Sequence, residues 1–456
     1  MLRICSLILF AWAAWAETAD WIWSAGWVIT EDPQHRVIAG GAVAVRGERI
    51  VAVGTRAEID ARFQAAQRLD RPDAILAPGL VNTHTHAAMS LFRGIADDLK
   101  LQDWLEKYIF PAEARNVSPD FVRWGTRLGC LEMLLGGTTT FTDMYYFEDV
   151  VAEAAKEAGM RGVLGETIIG FPVADAKTPA QSLAFTEKYL ARFRNDPLVV
   201  PAVAPHALYT NSDDTLKASR ALANKYGMPL IIHLSETKKE NDDTLAARHM
   251  TPTQLLDSLG VFGGRTVAAH CVWVNEADMA TLKARGVGVA HCPSSNMKLA
   301  SGVAPVARML ALGLKVGLGP DGPAGSNNDF NLFEEMDLAA KLQKVTTGDP
   351  QALPAATALE MATMGGARVL GLEKEIGSIE NGKRADLILV RLDRPNAVPL
   401  YDAVSQMVYA LKAEDVRDVM VNGRVVVRDT RILTLDQQQV LEKAAEYRAK
   451  VSASLR

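Results

Sequence analysis

The sequence predicts an α/β fold: a (β/α)8 TIM barrel with a small β-sandwich domain formed from both termini. Three observations predict it. The middle of the 456-residue chain alternates eight short apolar strands with amphipathic helical stretches. Its two ends are β-rich in similar style, as a single small domain assembled from both would be. Its length suits about three folding units, or one large barrel plus an appendage, at ~150 residues per domain. The composition, 48% hydrophobic and 23% charged, is that of an ordinary globular protein. A formal net charge of −5 argues against nucleic acid or an anionic membrane as the main partner, because both call for a basic surface.

The first residues need separate treatment. Met1-Leu2-Arg3 carries one positive charge, and residues 4–16 form an apolar run. The run closes on Ala14-Trp15-Ala16, a small-x-small site, before Glu17. That order matches a secretory signal peptide and is too short to span a bilayer as a stable helix. Residues 1–16 are therefore expected to be a leader. The protein is then periplasmic or secreted if the leader is cleaved, and cytoplasmic otherwise. Cleavage removes Cys5 and leaves Cys130, Cys271 and Cys292, an odd count that suits free buried thiols.

Residues 17–77 and 373–456 are assigned to the composite β-domain and a C-terminal helix, and residues 78–372 to the barrel. In the first part, residues 21–29, 41–45 and 50–53 read as strands, with Arg46-Gly47-Glu48 as a turn. In the last part, residues 385–390 and 416–427 are β-branched runs, the second turning at Val421-Asn422-Gly423-Arg424. The barrel strands are expected at 79–84, 138–143, 162–169, 199–204, 230–234, 266–270, 288–291 and 316–319. Ser118-Pro119 opens one intervening helix as cap and first-turn proline, and Gly136-Gly137 closes it.

In such a barrel the chemistry sits at the C-terminal ends of the strands. Five of the eight histidines fall there. His84 and His86 end the first barrel strand, and residues i and i+2 of a strand face the same way. His233 ends the fifth strand, His270 the sixth and His291 the seventh, and Asp321 ends the eighth. Taken singly, each has a plain structural explanation, such as a hydrogen-bonded strand-end histidine or a turn aspartate. Independent decoration does not explain the conjunction. Imidazoles with a carboxylate suit a borderline divalent ion such as zinc, with ferrous iron or another first-row metal as the alternative. The role of His291 is left open.

The constellation resembles the metal-dependent amidohydrolase superfamily. The residues that carry the resemblance are Pro78-Gly79-Leu80-Val81-Asn82-Thr83-His84-Thr85-His86, then His233, His270 and Asp321. The tail motif Gly377-Ser378-Ile379-Glu380-Asn381-Gly382-Lys383-Arg384-Ala385-Asp386-Leu387 adds to them. Residues 198–206, the fourth strand, hold no lysine, whereas binuclear members use a carboxylated one there. The resemblance therefore implies a single metal on His84, His86, His233 and Asp321. By similarity to single-metal deaminases of the superfamily, Glu236 shuttles a proton, and His270 orients or polarises the nucleophile. Asp321 also accepts a hydrogen bond or proton. Water ionised by the metal attacks an amidine carbon, Glu236 protonates the ring nitrogen, and ammonia leaves.

Several stretches are similar to the 5-methylthioadenosine/S-adenosylhomocysteine deaminase branch, among them residues 88–98, Phe110-Pro111-Ala112-Glu113, Ala204-Pro205-His206 and residues 291–299. That resemblance implies that Glu113 binds ribose hydroxyls and His206 contacts the purine, with Glu236 and Asp321 completing the substrate contacts. The expected substrate is a small adenosine-type nucleoside: 5-methylthioadenosine, 5'-deoxyadenosine or S-adenosylhomocysteine. Branch members that grip the homocysteine carboxylate use arginine after the third strand, and residues 164–172 here contain none, which favours a neutral tail. Phe92, Trp104 and Phe171 are equally readable as pocket lining or as core. The rival readings are a guanine-, pterin- or triazine-type aminohydrolase on the same site, or an exported binding protein without catalysis. A thiolate zinc site of the cytidine-deaminase kind is excluded, because no Pro-Cys-x-x-Cys pair exists. No nucleic-acid or membrane partner is expected, and a homo-oligomer is left open.

Overall fold

The computed structural model describes residues 17–455, and the expected leader lies outside them. Five strands open the chain: β1 (Glu17–Ile29), β2 (Val37–Ala39), β3 (Gly41–Arg46), β4 (Arg49–Thr55) and β5 (Phe63–Pro78). Eight follow with helices between them: β6 (Leu80–Thr85), β7 (Thr138–Tyr145), β8 (Arg161–Ile168), β9 (Val199–Pro205), β10 (Leu230–Leu234), β11 (Thr266–His270), β12 (Gly288–His291) and β13 (Lys315–Leu318). Four more lie near the C-terminus: β14 (Leu387–Arg391), β15 (Val416–Val421), β16 (Arg424–Arg428) and β17 (Arg431–Ile432).

Strands β6 to β13 are parallel and lie side by side in chain order. The first and last meet where Thr83 Oγ1 donates to Leu318 O at 2.9 Å and Asp321 N donates to His84 O at 3.1 Å. This is the expected eight-stranded barrel, with each strand within a residue or two of its expected bounds. All eight residues of β7 and of β8 are buried, as strands covered on both faces must be. The helix Pro119–Leu135 begins as its sequence implies: Ser118 Oγ accepts the Phe121 N–H at 3.3 Å.

The terminal strands form one mixed nine-stranded sheet in the order β17-β16-β15-β14-β5-β1-β3-β4, with β2 on β1. Its two faces pack separately. Val43 and Val45 join a cluster with Trp23, Leu76 and Leu387, whereas Ala42 and Ala44 join one with Ile22, Ile59 and Phe63. That alternation is the period-two pattern of a pleated strand.

Strand β5 is the longest strand that sequence reasoning missed. It pairs in parallel with β1 and antiparallel with β14, so it sutures the two ends of the chain. Its polar stretch Gln67-Arg68-Leu69-Asp70-Arg71-Pro72-Asp73 hid it, because charges and an internal proline argue against a central strand. The C-terminal helix Gln437–Ser454 packs on the helix Pro119–Leu135, and Tyr447 donates to Asp120 Oδ2 at 2.5 Å. Cys130, Cys271 and Cys292 are free and buried.

Candidate active site

Seven of the eight predicted site residues line one cavity at the C-terminal ends of the barrel strands: His86, Glu113, His206, His233, Glu236, His270 and Asp321. The eighth, His84, is fully buried and packs edge-on against His86, His233 and His270, with ring centroids 5.0, 4.9 and 5.4 Å away. His84 Nε2 lies 3.3 Å from Asp321 Oδ1, and His86 Nε2 lies 3.2 Å from the same oxygen. Two sets of donor atoms fall within 4.8 Å of one another: His84, His86 and Asp321, and His84, His233 and His270. His84 belongs to both.

Each of the other imidazoles is aimed by its back nitrogen. His86 Nδ1 donates to Met144 O at 2.7 Å, and His233 Nδ1 donates to His206 O at 2.7 Å. A carbonyl can only accept, so each Nδ1 carries a proton and each Nε2 is turned inward toward the cluster. Asp321 is held at both oxygens, by Ser295 Oγ at 2.7 Å and by its neighbour Gly322 N at 2.7 Å. His270 Nδ1 donates to Asn296 Oδ1 at 2.9 Å, which turns Nε2 to within 3.9 Å of Glu236 Oε2.

A divalent cation fits this donor set. His84 is buried with neither ring nitrogen hydrogen-bonded, an arrangement that costs free energy unless something else accepts the lone pair. The cluster is also electrostatically tense. Burial drives His84 down to about 4, and Asp321 only partly restores it. Burial works against a charged His86 as well, but Asp321, helped by Asp143 and the Met144 carbonyl, outweighs it and holds His86 up to about 9. Against the cost of its own burial, Asp321 is kept well below the ordinary carboxylate range by His84 and His86. One carboxylate shared by several imidazoles is the charge balance of a cation site.

The remaining predicted residues stand around this cluster. Glu236 is buried, its backbone N–H donates to Glu240 Oε2 at 2.9 Å, and burial raises its carboxyl above the usual value while His270 opposes the rise. His206 packs 4.7 Å from His233, its Nδ1 lies 3.2 Å from Thr210 Oγ1, and burial lowers it to about 3. It is therefore a neutral imidazole near pH 7. Glu113 lies at another wall of the cavity, where burial lifts it to about 7.

Sequence reasoning missed the partners of these groups. Tyr145 and Tyr146 donate to the two oxygens of Glu113 at 2.7 and 3.4 Å. Their position at the end of β7 was the available signal, since strand-end residues face the barrel mouth. Ser295 and Asn296, which grip Asp321 and His270, lie in the stretch 291–299 already noted for its resemblance. Of the three aromatics, Trp104 lines the cavity, Phe92 is core, and Phe171 lines an adjoining cavity of about 270 Å³ beyond Glu113. His291 is fully buried off this cavity, with neither ring nitrogen hydrogen-bonded.

Comparison with known proteins agrees with this architecture. The model of the amidohydrolase family matches residues 75–426, and that of a bacterial imidazolonepropionase-like composite domain matches residues 41–63. A 5-methylthioadenosine/S-adenosylhomocysteine deaminase 1 from Syntrophus aciditrophicus (strain SB) is 46% identical over 96% of this chain and 99% of its own. A 5-methylthioadenosine/S-adenosylhomocysteine deaminase from Syntrophobacter fumaroxidans is 48% identical over 94% of this chain and 97% of its own. Among solved structures, an adenosine deaminase from Xanthomonas campestris with bound zinc superposes with a TM-score of 0.94 at 41% identity, covering 96% of this chain and all of that one. The chain belongs to the amidohydrolase family.

Proposed function

We propose that the protein is a zinc-dependent deaminase that hydrolyses the exocyclic amino group of an adenosine-type nucleoside and releases ammonia. One observation carries the reading. The His86, His233 and Asp321 donors, the Glu236–His270 pair and the Glu113–His206 contacts all border a single cavity, with His84 packed directly behind it. Near-full-length similarity to named deaminases supports it.

In this reading His84, His86, His233 and Asp321 hold the ion. When bound, a divalent ion lowers the pKa of water toward ~7 and so supplies a nucleophile at neutral pH. Glu236, already raised by burial, carries the proton to the ring nitrogen next to the amino-bearing carbon. His270, with Nδ1 fixed on Asn296, presents Nε2 to the attacking oxygen. Once that oxygen has added to the carbon, Glu236, left unprotonated by its transfer to the ring nitrogen, takes the hydroxyl proton and hands it to the exocyclic amine, and the C–N bond then breaks to release ammonia. His206, neutral, pairs with a purine nitrogen. Glu113 accepts hydrogen bonds from the ribose hydroxyls, displacing or sharing its tyrosine donors.

The 5' substituent points to the adjoining cavity lined by Phe110, Val117, Tyr146, Phe171 and Lys177. Its one cation, Lys177, is exposed, and an exposed charge pair contributes only ~0–1 kcal/mol. A neutral methylthio or methyl tail is therefore preferred over one that ends in a carboxylate. The test is ammonia release across 5-methylthioadenosine, 5'-deoxyadenosine, adenosine, S-adenosylhomocysteine, guanine and a triazine. The expected ranking puts the neutral-tailed nucleosides first in kcat/KM. Preference for guanine or a triazine would overturn the substrate class, and preference for S-adenosylhomocysteine would overturn the tail. The leader reading of residues 1–16 belongs to the same proposal, and N-terminal sequencing of the mature protein is expected to start at Glu17 rather than Met1.

A further inference from the structure

Glu335 lies outside the cavity, on the helix Leu332–Thr347, and is completely buried. A buried carboxylate needs partners, and this one has two from different loops. Its Oε2 accepts the Ser294 N–H at 3.2 Å, in the segment that follows β12. Its Oε1 accepts Asn327 Nδ2 at 3.3 Å, in the segment that follows β13. That same Nδ2 reaches Pro320 O at 2.9 Å, and Asn327 N donates to Gly322 O at 3.0 Å. Both loops act on Asp321. Ser295, next to Ser294, donates to its Oδ2, and Gly322 N donates to its Oδ1.

We propose that Glu335 is a positioning residue that sets the Asp321 carboxylate by clamping together the two loops that hold it. The proposal rests on Asp321 being a ligand of the metal, as read above. The chemistry of the clamp requires an acid, or at least two acceptors. Glutamine in its place keeps one acceptor for Ser294 but turns an amide NH2 toward the NH2 of Asn327. Asn327 cannot turn over to relieve this, because its Oδ1 accepts Asn328 N at 2.7 Å and its Nδ2 holds Pro320 O. One loop must therefore shift, and Asp321 with it.

The test uses the full-length zinc-loaded protein with 5-methylthioadenosine. Changing the outer partners of a metal ligand commonly costs ~10–100-fold in affinity or activity, so Glu335→Gln is expected to lower kcat about tenfold and speed zinc release to a chelator about tenfold. KM and Tm should move little, which separates positioning from a general loss of packing. In a Ser295→Ala background, the same substitution should cost less, because one of the two routes from Glu335 to Asp321 has already been cut. Equal costs in both backgrounds, or wild-type kcat and zinc release in Glu335→Gln, would overturn the proposal. If Glu335→Gln does not fold, Asn327→Ala cuts the same clamp at its other end and is read by the same criteria. A wild-type protein that holds zinc but deaminates nothing in the panel would sink the deaminase reading instead, and chelator release alone would then decide on Glu335.

Discussion

Glu236 has what a proton carrier in this site needs: burial that raises its affinity for a proton, and a cavity that puts it beside His270. Glu236→Gln is expected to lower kcat by ~10²–10⁴-fold while the zinc content stays at that of the wild type, by metal analysis and steady-state kinetics. Near-normal turnover in that variant would remove Glu236 from the mechanism. Several of these residues also sit in unusual backbone. Ser235, His270 and Asp321 adopt φ values of 49°, 71° and 66°, a left-handed region that side chains avoid and that collects at functional sites. The histidines and Asp321 were legible in the sequence because each lies at or just past the end of a strand whose direction is fixed by the barrel. Tyr145, Ser295 and Asn296 were not, because hydroxyls and amides are too common to stand out before folding places them beside an ionisable group.

At the scale of elements, the segment Leu101–Trp104 with its continuation Leu105–Ile109 covers the cavity with Leu101, Trp104, Leu105 and Ile109. The space left beneath it is about 50 Å³, far below the ~300 Å³ of a small-ligand pocket, so a bound nucleoside needs more room than this arrangement of lining side chains gives. Trp104 Nε1 ties it to Ala324 O at 2.9 Å, and Asp97, in the loop before it, pairs with Lys298 and Asn328. Trp104→Phe deletes one tie and is expected to raise KM several-fold with the fold intact, measured by steady-state kinetics and circular dichroism. A second element-scale test lies at the boundary between sheet and barrel. Glu31, just beyond β1, is buried against Glu360 and Arg368, and burial followed by Glu360 raises it from 4.5 to about 7. A carboxyl raised in the folded state stabilises most below its unfolded pKa, and the contribution is lost as pH climbs through the folded one. Glu31→Gln should therefore gain stability over the wild type at pH 8 but not at pH 4, by at most ~3 kcal/mol, read from denaturant midpoints. Equal midpoints at both pH values would contradict it. Strand β5 belongs to this scale too. Local pattern could not reveal it, because its place in the sheet comes from two distant partners and not from its own residues.

For the whole molecule, the expected eight strands and the two-ended β-domain were legible because alternation of strand and helix is a long-range pattern, insensitive to errors of a residue or two. The cover over the cavity and the clamp at Glu335 were not, since both are made by side chains that meet only in the closed barrel. Metal removal is the prediction at this scale. A ligand that binds only the folded state at ~1,000-fold over its Kd adds ~4 kcal/mol, so exhaustive chelation should lower Tm by several degrees and zinc should restore it, followed by calorimetry. The seam of the barrel has a consequence for how the protein is made. Thr85 and Asp321, 236 positions apart, join across it, with His84 on one side and the last acid on the other. A growing polypeptide still on the ribosome lacks that acid until about residue 321 has emerged. Ion loading must then be among the last events of its maturation, and products of premature termination before that point should be born empty.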